Sequence, residues 1–255
     1  MKKIIILLLV LPLLFCFNCR KNKMNSLPDF LKAGSPEYLM NEGFICLNAG
    51  DLLQAEKNFL QALQKKANLH NALYALGIIY LRRSELDRAE KYFKRTLQVK
   101  PDFLDAHNYL GVIYTETDNY EPAKEHLLIA ANAELYDTPE NAFANLARLE
   151  IKNNKYSSAR RYVEKGLVKN NEFAPLLNYL GIILEHEGNY QEAIFNYEKA
   201  ITKQDDVSYL VNIGRVYKKI GQNGKALDVL EQALSKAKSE PLKKQIREMI
   251  KNLET

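Results

Sequence analysis

Apolar and small residues recur through most of this 255-residue chain at intervals of three and four, the pattern of helices with one buried face. A longer period lies on top of it. A small residue follows Leu or Ile at Gly77, Gly111, Ala147, Gly181 and Gly214, and Gly43 after Glu42 is a degenerate first member; the spacings are 34, 34, 36, 34 and 33. Twelve residues after each stands an alanine: Ala55, Ala89, Ala123, Ala159, Ala193 and Ala226. Four further on comes a larger apolar residue (Phe59, Phe93, Leu127, Val163, Tyr197, Leu230), and three after that a small one again (Ala62, Thr96, Ala130, Gly166, Ala200, Ala233). Small residues let two helix backbones approach, and the large one fills the space beside them. The pattern therefore predicts a repeated pair of antiparallel helices, all-α, with the large residues packed as core.

The four spaced positions resemble the tetratricopeptide repeat, and on that resemblance six copies occupy 36–69, 70–103, 104–137, 140–173, 174–207 and 207–240. The resemblance implies a right-handed superhelical solenoid. Position 11 of the repeat is Cys46, Tyr80, Tyr114, Leu184 and Tyr217, with Glu150 the polar exception in the fourth copy. Cys46 reads as a small buried hydrophobe. Of the 11 glycines, five sit at the close-approach position and three, Gly50, Gly188 and Gly221, at the turn between the helices. Residues 241–255 place Leu242, Ile246, Met249, Ile250 and Leu253 opposite Lys243, Lys244, Arg247 and Lys251, which predicts a capping helix over the open end of the stack.

The first 35 residues break the pattern. Lys2 and Lys3 precede an apolar run over residues 4–17. As a helix it would span roughly 21 Å, short of the ~30 Å hydrocarbon core, so it reads as a secretory signal rather than a transmembrane span. The run ends Phe15-Cys16-Phe17-Asn18-Cys19, which resembles a bacterial lipoprotein signal. That resemblance implies cleavage at 18/19 and acylation of Cys19. Cys16 is the other choice, with a better-placed Leu13 but a poor Phe15 at the cut. Residues 19–35 then form a tether whose Arg20, Lys21 and Lys23 would lie beside anionic headgroups of the bilayer. The expected location is the bacterial envelope, by resemblance the outer membrane.

Composition narrows function mainly by exclusion. A net charge of +5 with 26% charged residues gives no concentrated basic face for nucleic acid. Three cysteines cannot build a disulfide framework. From 214 to the end there are ten Lys/Arg against five Asp/Glu, so the positive charge sits at the far end. The four histidines lack helical zinc spacing; His107 and His126 fall on facing helices, but two ligands make no metal site. Glu185-His186-Glu187 ends a helix and reads as solvated. Gly221-Gln222-Asn223-Gly224-Lys225 lacks the first glycine of a phosphate loop and carries Ala226 where Ser or Thr would hold magnesium. No nucleophile, acid–base pair or cofactor motif stands out, and no catalysis, metal or cofactor is expected.

What the repeat resemblance offers is binding. Its groove positions here are Tyr74, Asn108, Asn145, Arg148, Lys152, Asn178, Asn212, Arg215, Lys218 and Lys219. A side-chain amide both donates and accepts, so asparagines spaced along a groove suit an extended peptide or helix of a protein partner. The signal, tether and six repeats, with two extra residues at Leu135-Tyr136-Asp137-Thr138-Pro139 followed by Asn145-Leu146-Ala147, resemble the type IV pilus biogenesis and stability proteins of the PilW/PilF pilotin family. That resemblance implies an outer-membrane lipoprotein assisting a secretin. The alternative is an adaptor lipoprotein presenting substrates to an envelope protease or cell-wall enzyme.

Overall fold

A computed structural model describes residues 32–253, and the apolar leader, Cys16, Cys19 and most of the tether lie outside the described residues. The described residues hold thirteen helices and no strand. In chain order they are α1 (Pro36–Asn48), α2 (Leu52–Lys65), α3 (His70–Arg82), α4 (Leu86–Val99), α5 (Leu104–Glu116), α6 (Tyr120–Asn132), α7 (Pro139–Lys152), α8 (Tyr156–Lys169), α9 (Ala174–His186), α10 (Tyr190–Lys203), α11 (Val207–Lys219), α12 (Asn223–Lys236) and α13 (Glu240–Lys251). Prolines sit where a missing N–H costs nothing, in the first turns of α1, α7, α9 and α13. Ser35 Oγ, Asp51 Oδ1 and Asp206 Oδ1 accept from backbone N–H groups at the starts of α1, α2 and α11. Among the described residues no helix is long and apolar enough to cross a membrane.

The chain divides into two compact units, one ending at Glu85 and one beginning at Leu86. In the first, α1 packs on α2 and α2 on α3. Its core is set by Phe59, whose ring occupies the space where a Cβ on Gly43 would stand. Phe44 meets the same ring edge-on, with centroids 5.0 Å apart. Tyr80 on α3 donates to Glu56, which also takes Arg83 at 2.6 Å. Cys46 is half-buried rather than buried, with the Asn58 amide 3.8 Å from its sulfur. It lies off the line of Gly43 and Leu47, the two buried residues of α1.

In the second unit, α5/α6, α7/α8, α9/α10 and α11/α12 form antiparallel pairs, each packed on the next. The small residues that define the repeat are where the backbones meet. Ala123, Ala159, Ala193 and Ala226 are fully buried. A Cβ added to Gly111, Gly181 or Gly214 would fall 2.5–2.7 Å from a side-chain carbon of Leu127, Tyr197 or Leu230, sixteen residues on. Ala147 takes this place in the fourth pair, and the residue sixteen on is the smaller Val163; both belong to one buried cluster. The terminal helix α13 sets Ile246 on Leu210, Val211, Leu230, Ala233 and Ala237, with Leu242, Met249, Ile250 and Leu253 packed around it. Lys244, Arg247 and Lys251 face outward.

Each turn between paired helices contains one residue with positive φ. Three are glycines, Gly50, Gly188 and Gly221, at +82°, +84° and +74°, and three are Ser84, Asp118 and Asn154 at 57–60°. Gly221 thus serves the turn before α12, which accounts for the glycine that superficially suggested a phosphate loop.

Candidate functional site

The first helices of successive pairs in the second unit, α5, α7, α9 and α11, lie side by side. Eight of the ten groove residues are on this face, from Asn108 to Asn212 and the cations beyond it; Tyr74 is half-buried on α3 of the first unit, and Lys218 is exposed near the end of α11. The asparagines meet in pairs. Asn145 Nδ2 donates to Asn108 Oδ1 at 2.9 Å across α7/α5, and Asn212 Nδ2 donates to Asn178 Oδ1 at 2.8 Å across α11/α9. Asn108 and Asn178 are 8% exposed, while Asn145 and Asn212 are half-buried. Between the two pairs, at α7/α9, the matching positions hold Ala144 and Tyr179, so the amides occur at alternate junctions. Each bond spends one of the two N–H groups of Asn145 or Asn212 and pre-orients the rest of the amide.

The cations of this face are committed to partners within the chain. Arg215 grips Glu185 with two bonds, Nε–Oε1 at 3.0 Å and Nη2–Oε2 at 2.6 Å, and Lys219 adds a third at 2.7 Å. The Tyr197 hydroxyl donates to the same carboxylate at 3.2 Å. Arg148 pairs with Glu116, and Lys152 bonds the Thr115 carbonyl and Asp118, each at 2.7 Å. Lys218 donates to the Asn252 carbonyl beyond the end of α13. The reading of Glu185-His186-Glu187 as a solvated helix end holds for His186 and Glu187, which are exposed, and is corrected at Glu185. Glu185 is 6% exposed and turned inward, His186 stacks on Tyr156 with centroids 3.7 Å apart, and Glu187 forms a two-bond pair with Arg160. Burial pushes the Glu185 carboxyl up, but the Arg215 and Lys219 bonds outweigh it and hold the group below the usual carboxylate range. Burial, seconded by that carboxylate, pushes the Tyr197 phenol far up, so it stays a donor.

These counter-ions were missed from the sequence because each stands 30–34 residues from its cation: Glu116 to Arg148, Glu185 to Arg215 and Lys219. The signal that finds them is an acid one repeat length before a base, both on the inner face.

Glu150, the polar exception at its position, is wholly buried. The Tyr120 hydroxyl lies 2.9 Å from both its oxygens, and Lys124 Nζ pairs with it at 2.9 Å. The Glu150 bond, with that of Tyr120, raises the Lys124 ammonium well above its ordinary value.

His107 and His126 do meet. Their Nδ1 atoms are 2.8 Å apart, and His107 Nε2 faces the Pro101 carbonyl at 3.0 Å. A carbonyl only accepts, so His107 carries its proton on Nε2 and accepts from His126 Nδ1–H. The pair has room for one extra proton, since two would set N–H against N–H. Among the described residues no three His, Cys, Asp or Glu side chains gather as a metal site. Burial, then the neighbouring His107, depresses the His126 pKa below its ordinary value of 6.5. The groups around it are Tyr114, stacked at 5.7 Å, with Lys94 and Glu125 nearby. A depressed histidine leaves the unfolded chain binding more protons, so stability is whole above about pH 6.5 and declines as pH falls through the folded-state value. Thermal melts between pH 7.5 and 5 should show that decline, and it should flatten in His126→Phe; an equal slope in both would disprove it.

Two family profiles tile the chain. The one described as a tetratricopeptide repeat matches residues 47–102 and again 74–133, and that of the tetratricopeptide repeat protein 21 C-terminal ARM domain matches 128–251. This is a tetratricopeptide-repeat solenoid. Tetratricopeptide repeats are scaffolds for protein–protein interaction, and the amide-lined face of this one lies on the first helices of its repeats. No curated protein matches the chain. Several solved tetratricopeptide structures do. PilF of Pseudomonas aeruginosa is 21% identical with a TM-score of 0.69, over 83% of this chain and 96% of that one. PilW, a widely conserved type IV pilus biogenesis factor, is 18% identical with a TM-score of 0.73, over 86% and 98%. A tetratricopeptide repeat protein from Parabacteroides merdae is 20% identical with a TM-score of 0.69, over 86% of each. At these identities the likeness is one of fold.

Proposed function

We propose that the protein is a lipid-anchored scaffold of the bacterial envelope that holds an extended segment of a partner protein against the first helices of its repeats. The observation that carries the reading is the repeated amide pair, Asn108–Asn145 and Asn178–Asn212, two like donor–acceptor sets on one face. Amides bind main chain with little regard to sequence, and the neighbouring cations are already neutralised, so the partner segment need not be acidic. The Cys19 signal supports the anchor, and the length and fold shared with PilF and PilW support a task in type IV pilus assembly, with a secretin subunit as partner.

The test is capture from envelope extracts by the full chain, read by mass spectrometry. Asn145→Ala with Asn212→Ala should lose the partner while costing only about 1–3 kcal/mol of stability. An enriched secretin supports the pilus task, and an enriched protease or cell-wall enzyme replaces it with an adaptor role. Capture that survives both substitutions sinks the amide-face reading. Palmitate labelling that persists in Cys19→Ala sinks the choice of anchor.

A further inference from the structure

The longest connection in the second unit is 133–138, between α6 and α7, where the repeat period gains two residues. Its electrostatics differ from the junctions that follow. In the later helix pairs the lysine that closes the second helix neutralises an acid two residues before the first: Lys203 with Glu172 and Lys236 with Asp205, each at 2.6 Å and each 31 residues apart. In the third pair the acid two residues before the first helix is Asp102, and 31 residues on Ala133 stands in place of the lysine; beside them the Tyr136 hydroxyl donates to Asp105 Oδ1 at 2.9 Å. Burial, more than the neighbouring Asp105, pushes this phenol far above its ordinary range, so it brings a hydrogen bond and no charge. Asp102 keeps the place of the later acids, and its counter-ion position is an alanine.

Around it the negative charge accumulates. Asp102, Glu134, Asp137 and Glu140 belong to the same two loops and the first turn of α7, and among the described residues none of the four has an ion-pair partner. Lys100 is the cation beside them, and its ammonium lies 5.5 Å from the Phe103 ring. Asp102, Asp105 and Asp137 thus share one surface with a single ammonium, Lys100, in a chain whose net charge is +5. The loops enclose an open depression of about 390 Å³ with Phe103 and Leu104 in its wall. Leu135 stands on its edge, 92% exposed. A single exposed leucine is ordinary. One set beside a depression that Asp102, Asp105 and Asp137 line is a complementary surface for something both apolar and positive.

We propose that this junction docks a cationic segment of a partner protein, a short lysine- or arginine-bearing stretch whose apolar side chain covers Leu135 and Phe103. Anionic lipid and nucleic acid are repelled by the same charges. The carboxylates are too dispersed for a metal ion, and no such group forms among the described residues. The site is separate from the amide pairs on the first helices and does not depend on what they bind.

The test is fluorescence anisotropy with the purified chain and a short labelled peptide of lysines and glycines around one leucine, against a matched peptide with glutamate for lysine. The lysine peptide should bind and the glutamate peptide should not. Asp102→Asn with Asp137→Asn, both exposed positions, should weaken binding about tenfold at low salt. Leu135→Ser should weaken it as well. Ala133→Lys supplies the lysine of the later repeats and should abolish binding; if circular dichroism shows that variant unfolded, the Asp102/Asp137 variant decides. Asn145→Ala with Asn212→Ala should bind the peptide as the parent does. Equal binding of the two peptides, full affinity in the Asp102/Asp137 variant, or loss in the asparagine variant would overturn the proposal.

Discussion

Replacing Lys124 with methionine is expected to destabilise the second unit by about 3–5 kcal/mol, because it strands a carboxylate in the core. Glu150 has no exposed surface, and among the described residues its charge is matched by Lys124, with the Tyr120 hydroxyl as its other donor. Methionine keeps the length and packing of the lysine stem, so what is lost is the ammonium. At about 2–4 °C per kcal/mol for a unit of this size, the melting temperature should fall by roughly 10 °C. Adding Glu150→Leu should recover most of the loss, since the fifth repeat carries Leu184 there, 5% exposed. Urea unfolding of the three chains decides the matter. A single variant as stable as the parent, or a double variant no better than the single, refutes this account of the buried pair.

Gly111→Ala is expected to cost about 1–3 kcal/mol through overpacking. Its new methyl would fall 2.5 Å from Leu127 Cδ2 and 3.2 Å from the Ala123 carbonyl oxygen. The side chain can shift and the backbone cannot, which sets the sign. The fourth repeat already contains the compensated form, Ala147 with Val163. Gly111→Ala with Leu127→Val should accordingly be more stable than either substitution predicts by addition, a coupling of about 0.5–3 kcal/mol in a double-mutant cycle. Strict additivity would mean that the two helices part to accept the methyl.

The same pair shows what the chain reveals to a reader. Positions 8, 20, 24 and 27 of the repeat are legible because close packing restricts them to few residue types, and Gly111, Ala123, Leu127 and Ala130 need no partner outside one helix pair to be recognised. The chemistry of the inner face is different. Whether Arg215 is a waiting ligand site or half of an ion pair depends on Glu185 of the preceding repeat, and its type alone does not say. Asn145 and Asn212 were visible as polar positions, but their bonds to Asn108 and Asn178 follow from the stacking of successive first helices. Glu150 marked itself as a departure from pattern, and only the fold supplied Lys124 and Tyr120. Ala133 looked like an ordinary small residue until its place, 31 residues after Asp102, set it beside Lys203 and Lys236.

The six positive-φ turn residues bear on how such a chain can vary. Each turn has the same backbone shape whether Gly188 or Asn154 occupies it, and a non-glycine residue there costs on the order of 1 kcal/mol, offset by the smaller freedom it gives up on folding. Units of a repeat chain contact only their neighbours, so the contributions of the turns are close to additive. Total stability is therefore a setting distributed over six separate adjusters. Substitution at Ser84 or Asn154 can raise or lower it in small steps while the helix faces that recognise a partner stay as they are.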